Sequence, residues 1–170
     1  DLFPREFVNF EAREYGILFY DEINKDSYDS NHAVIFSHKI LDLDAVLADV
    51  TAFYKKKGQN PIIYQATAEK GYFAANAEVF AKHGFKTWEE ELHIMVPVKE
   101  NKLIPNPEIT VKRVTEWEEA FATEIFEKAE EPWEIGVAKR MIRNPSTVFF
   151  VAYYQGHPVG MTYVHVRGGV

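Results

Sequence analysis

Residues 127–134 read Glu-Lys-Ala-Glu-Glu-Pro-Trp-Glu, and they hold the side chains best suited to chemistry on a cation. Glu130, Glu131 and Glu134 beside the Trp133 indole would hold an ammonium group by charge attraction combined with an aromatic face. The same residues also suit a plainer arrangement, in which one helix ends and the next begins with solvated acids. A second candidate is His32, with Asp26 and Asp29 nearby, as a metal cluster. Zinc needs three or four ligands converging at about 2.0–2.3 Å. Asp-Ser-Tyr-Asp-Ser-Asn-His between two strands reads instead as a solvated loop with Asx turns, so no metal is expected. His93 and His165 fall in strand-like runs and read as hydrogen-bonded structural residues. Tyr153, Tyr154 and Tyr163 read as core or sheet-face residues rather than catalytic groups, because aromatic side chains favour strands. A Gly-x-Ser-x-Gly elbow, a His-Glu-x-x-His pair and a Walker loop are all missing, which leaves hydrolase and nucleotide-binding readings without support.

The bulk composition narrows the classes further. In 170 residues, 46% are apolar and 15% aromatic, enough to build a packed core. A net charge of -7 argues against nucleic acid or an anionic membrane as the main partner. Lys55-Lys56-Lys57 is the one basic run, and it reads as the last turn of a helix, where cations complement the dipole before Gly58. The absence of cysteine removes disulfides, thiol nucleophiles and thiolate metal sites, and it fits a cytoplasmic protein. Nowhere is there an apolar run of about 18 residues, nor does Asp1-Leu-Phe-Pro-Arg-Glu have the order of a signal peptide.

The elements that must position these residues fall into two portions. Pro97 to Pro107, with three prolines among polar residues, predicts a linker at 98–107 between a lobe at 1–97 and another at 108–170. In the first, residues 4–14 suggest a short helix with Phe7 and Phe10 on one side, followed by strands at Gly16–Tyr20 and His32–Ser37. Leu43, Val46, Leu47, Val50 and Tyr54 then recur at helical spacing up to Gly58, a good residue to end a helix. A strand at 61–65, a helix from Tyr72 to His83 stopped by Gly84, and a strand at 92–96 follow. The second portion opens with a strand at 109–114. Thr115 and Glu118 form a capping box, and Trp117, Phe121, Ile125 and Ala129 make an i+4 stripe. Pro132 suits the first turn of a second helix, with Trp133, Val137 and Met141 on one face, ended by Asn144-Pro145. Thr147–Tyr154 and the run after Pro158 form a hairpin around Gly156, apolar enough to predict burial on both faces. The fold class expected is α/β in the mixed α+β sense: two partial lobes with a mixed sheet flanked by helices.

Two segments carry a family resemblance. Asn76-Ala-Glu-Val-Phe-Ala-Lys-His-Gly-Phe85 resembles the Asn-x-x-x-Tyr-x-Lys-x-Gly-Phe signature of the GNAT acetyltransferases, and the elements before it follow that family's order. The hairpin, with x-Pro-Val-Gly opening its second strand, resembles the family's second and third strands. The family's fourth strand comes next, and an Arg/Gln-x-x-Gly-x-Gly/Ala turn and helix N-terminus then bind acetyl-CoA; that turn is absent from this sequence. The resemblance implies a tandem-lobe N-acetyltransferase of bacterial type, moving acetyl from acetyl-CoA to a primary amine of a small molecule or peptide. The amine attacks the thioester carbonyl, a fourth-strand N–H stabilises the oxyanion, and a base removes the ammonium proton. It implies that the catalytic groups lie beyond Val170, that no residue here binds the cofactor, and that the chain, trimmed from a longer protein, is inactive alone. Phe80 stands where the family often has a proton-donating tyrosine, and Ser37 to Asp44 has no glycines, so the first lobe is expected to be a degenerate copy. Residues 127–134 match the region that commonly lines the family's acceptor pocket. A non-catalytic binding or scaffold protein built from such halves is the alternative, and an unrelated α/β domain a third. An unpaired final strand would allow a homodimer by strand addition.

Overall fold

The computed structural model describes residues 3–65, 71–88, 104–130, 132 and 134–166. They belong to two compact units, Asp1–Glu90 and Glu91–Val170. Both are α+β: the first carries a four-stranded mixed sheet and the second a three-stranded antiparallel one. The strand expected at 92–96 and the linker residues 98–103 lie outside the described residues.

The first unit begins with a 3-10 turn at Phe3–Glu6 and then β1, Asn9–Arg13, not the short helix expected there. The spacing of Phe7 and Phe10 suits a helix locally. Pairing with the buried β2, Gly16–Tyr20, overrides it, in register from Asn9↔Tyr20 to Arg13↔Gly16. Phe10 lies on Phe19 across that pair, with centroids 6.3 Å apart. β2 pairs antiparallel with β3, Ala33–Ile35, and Gly16 sits opposite Ile35. A Cβ on Gly16 would lie 2.1 Å from the Val34 carbonyl oxygen, so only glycine fits this close approach.

From β3 the chain enters α1, Leu43–Lys56, and returns as β4, Ile63–Gln65, parallel to β3. Val46, Leu47, Val50 and Tyr54 are the buried stripe of α1, and Gly58 leaves the helix at φ 69°, as the spacing predicts. That stripe packs with Leu18, Ala33 and Ile35 from the sheet and with Phe80. Ile17, Phe19 and Val34 alternate to the other face and form a smaller cluster with Val8, Phe36 and Tyr64.

The helix expected at 72–83 is two: α2, Tyr72–Ala75, and α3, Ala77–Lys82. Asn76 breaks it, at φ −115° and ψ 19°, with its side-chain amide donating to the Tyr72 carbonyl at 2.9 Å in competition with the helical ladder. Gly84, at φ 81°, ends the segment as expected.

In the second unit β5, Ile109–Val114, pairs with β6, Thr147–Tyr154, and β6 with β7, His157–His165. The two-residue connection Gln155-Gly156 has positive φ at both positions, the type I′ geometry whose twist matches the strands. β6 buries Phe149 and Val151, but β7, at the edge, leaves Val159, Tyr163 and Val164 exposed. The expectation that both strands are buried on both faces therefore fails for β7, in which Pro158 alone is fully buried. Helix α4 starts at Glu119, its cap Glu118 makes no side-chain bond, and the capping box with Thr115 does not form. After three residues it widens into a π-helical turn, Ala122–Glu127. With hydrogen bonds reaching five residues back, Phe121 and Phe126 both turn inward, while Ile125 is half-buried and Ala129 exposed. The i+4 stripe is thereby replaced by an i+5 pair closing on Trp117, at ring distances of 5.6 and 6.0 Å. Helix α5, Glu134–Met141, buries Val137, Ala138 and Met141.

Candidate functional site

Three places in the fold bear on chemistry: the acidic segment between α4 and α5, the junction from β3 into α1, and the loop from β2 to β3.

In the acidic segment Glu130 is exposed in a turn after the π-helical residues, in the left-handed region at φ 60°. Glu134 opens α5 and is half-buried, while Glu131 and Trp133 lie outside the described residues. Nearby acids have partners on their own unit: Glu119 pairs with Lys139 at 3.2 Å and Glu124 with Lys128. The Lys128 ammonium holds the Glu124 carboxyl below the usual carboxylate range. Lys139 also stands 5.1 Å above the Trp117 ring, so this surface already carries one cation on an aromatic face.

The junction into α1 is where a diphosphate coenzyme would have to meet free backbone N–H groups. A 3-10 turn at Ser37–Lys39 uses the Lys39 N–H on the Phe36 carbonyl at 2.9 Å and the Ile40 N–H on the Ser37 carbonyl at 3.1 Å. Asp42 caps α1, its carboxylate accepting the Ala45 N–H at 3.1 Å, and the Val46 N–H goes to the Asp42 carbonyl. Asp44, in the first turn, accepts Lys82 Nζ and His83 Nε2 at 2.7 Å each, and these hydrogen bonds hold its carboxyl below the ordinary range. Two carboxylates thus stand where the ligand's charge would go. Like charge there disfavours an incoming anion. The residues present do not fit a coenzyme diphosphate. Phe80 is a core side chain, ringed by Phe73 at 4.8 Å and Phe85 at 6.1 Å.

The loop between β2 and β3 is solvated on one side only: Glu22, Ile23, Lys25, Asp26, Tyr28 and Asp29 are exposed, so the acids Asp26 and Asp29 lie at the surface while His32 does not. Asp21, Asn24, Ser27, Ser30, Asn31 and His32 are all buried, as is Gln59 from beyond α1. The Asx turn exists: Asp21 Oδ1 accepts the N–H groups of Ile23 and Asn24 at 3.0 and 3.2 Å. Asn31 organises the rest. Its amide donates to the Asn24 and Ser27 carbonyls, both at 2.7 Å, and its oxygen accepts the Asp21 N–H at 2.7 Å and the Gln59 amide. His32 lies between Phe19 and Tyr64, with centroids 5.1 and 4.7 Å away. Its Nδ1 lies 3.1 Å from the Tyr28 carbonyl, which only accepts, so Nδ1 carries the proton. Among the described residues no group of three His, Asp or Glu is placed to hold a metal ion.

Burial pushes the His32 pKa below its ordinary value of 6.5, against the raising effect of the Tyr28 carbonyl and Asp29. The neutral ring therefore contributes stability that is complete above pH 6.5 and is lost as pH falls through the lower folded value. Urea midpoints should drop between pH 7.5 and 5 in the wild type and drop less in His32→Leu. Equal slopes would remove His32 as the cause.

The remaining sequence candidates that are described lie on β6 and β7. His165 Nδ1 lies 3.3 Å from the Thr147 hydroxyl, Tyr163 stacks on Phe149 at 5.5 Å, and Lys112 sits 5.0 Å over Tyr153. His93 lies outside the described residues. Sequence reasoning missed the Asp44, Lys82 and His83 cluster. Its signal was present in Asp42-Leu-Asp44 at a helix start and in two cations at a helix end. No family model matches the chain, and no curated protein or solved structure is detectably similar to it. Among the described residues no helix is long and apolar enough to cross a membrane.

Proposed function

We propose that this chain has the two-lobe plan of a GNAT-type N-acetyltransferase. Its natural gene product would be a cytoplasmic protein that moves acetyl from acetyl-CoA to a primary amine on a small molecule or peptide. One arrangement carries the reading. An antiparallel meander, β1 to β3, runs through α1 into a parallel β4, and then into the Asn76–Phe85 segment, which resembles the family's signature except at Phe80. Strand, two helices and antiparallel hairpin in the second unit support the same plan. On this reading Glu130, Glu131 and Glu134 would supply the charge that draws the acceptor's ammonium group, and Trp133 the aromatic ring of that set. No reaction step is assigned to residues of the first unit.

A second reading, a non-catalytic binding or scaffold protein, is favoured by two observations: the carboxylate-capped junction and the core position of Phe80. The two separate in one assay. The natural gene product, given acetyl-CoA and a panel of polyamine, lysine peptide, peptide amino terminus and antibiotic amine, should release free thiol. The 170-residue chain should release none. Silence from the gene product with every amine selects the scaffold.

A further inference from the structure

We infer that the anion-binding end of α1 is occupied by the chain's own carboxylates, which closes that helix end to a diphosphate coenzyme. The inference rests on the acetyltransferase reading only for its choice of ligand; the closure is a property of named atoms. A helix N-terminus attracts anions because its first N–H groups lack partners and its dipole is positive. At α1 the chain's own acids act on both: Asp42 takes one of the first N–H groups, and two carboxylates stand at the positive end of the dipole. Asp42 takes the Ala45 N–H, and Val46 bonds back to the Asp42 carbonyl. The preceding turn takes the N–H groups of Lys39 and Ile40. Asp44 adds a second negative charge within the first turn.

A clasp across to α3 fixes that second charge. Lys82 and His83 stand at the C-terminal end of α3, where a helix favours cations, and both reach Asp44 Oδ1 at 2.7 Å. The negative end of one helix and the positive end of another are thus bridged by side chains of opposite sign. The cations that would otherwise assist an incoming phosphate already face an acid of the same chain. A diphosphate arriving as a ligand would have to sit beside both the Asp42 cap and the clasped Asp44 carboxylate.

The test is a titration of the 170-residue chain with acetyl-CoA and, separately, inorganic pyrophosphate, read by calorimetry and by amide exchange. No change in exchange at residues 39–46 is expected with either ligand. Saturable heat with unchanged exchange there would place any binding elsewhere and leave the closure standing. Micromolar binding that protects residues 39–46 overturns the inference, while strengthening the acetyltransferase reading, so the two can fail separately. A second arm tests the seal itself. Asp42→Ala should speed exchange of the Ala45 amide about five-fold, the usual effect of losing a cap. Unchanged exchange in that variant would show that Asp42 does not close the helix end, and the inference would fall.

Discussion

Asn31→Ala will destabilise the first unit by about 3–5 kcal/mol. The side chain satisfies four groups at once: the Asp21 N–H, the Gln59 amide and the carbonyls of Asn24 and Ser27. Alanine removes every one of those bonds in a place without solvent, where each orphaned polar group costs about 1–3 kcal/mol. The sum is held below four full penalties because Gln59 keeps the Asp21 carbonyl and the loop can relax. Urea unfolding followed by circular dichroism gives the difference directly. A loss under about 1 kcal/mol would mean that the loop opens to water at little expense and that its buried polar cluster is not a determinant of the fold. Asn31→Asp keeps the shape but replaces the amide donor with an acceptor facing two carbonyls, so it should be no better than alanine.

Phe80→Ala should cost about 3–5 kcal/mol, the range for deleting a buried aromatic ring and leaving a cavity. Phe80 is 2% exposed, sits in the cluster formed by α1 and the sheet, and touches both Phe73 and Phe85. Its loss would loosen α3 from α1, and with it the Asp44 clasp. With two compact units in one chain, unfolding need not be a single transition, so the comparison belongs to the transition of the first unit. A near-normal midpoint would show that the neighbouring rings collapse into the space.

What the sequence disclosed was local. The α1 helix was legible because its apolar spacing, its C-terminal lysines and its terminal glycine agree with one another. The β6–β7 turn was legible because glycine at a positive φ is a strong local cue, although nothing marked Gln155 as a second left-handed residue. The failures have a common cause in partners far along the chain. Residues 9–13 become a strand because β2 offers a pairing edge. One side of the polar loop is buried because Asn31 and Gln59, 28 residues apart, replace water for one another. Asp44 meets Lys82 and His83 across 38 and 39 residues, a distance at which no spacing rule operates. The π-helical turn was hidden for a different reason. Its residues carry no cue against an ordinary helix, and only the packing of Phe121 and Phe126 around Trp117 selects the wider winding.

The contact between Gly16 and the Val34 carbonyl bears on how variation in chains of this kind should be read. Drift at that position is forbidden by space alone, since any side chain would collide with main-chain atoms that have nowhere to go. Invariance at position 16 across such chains would be the imprint of crowding between neighbouring strands, and would say nothing about catalysis.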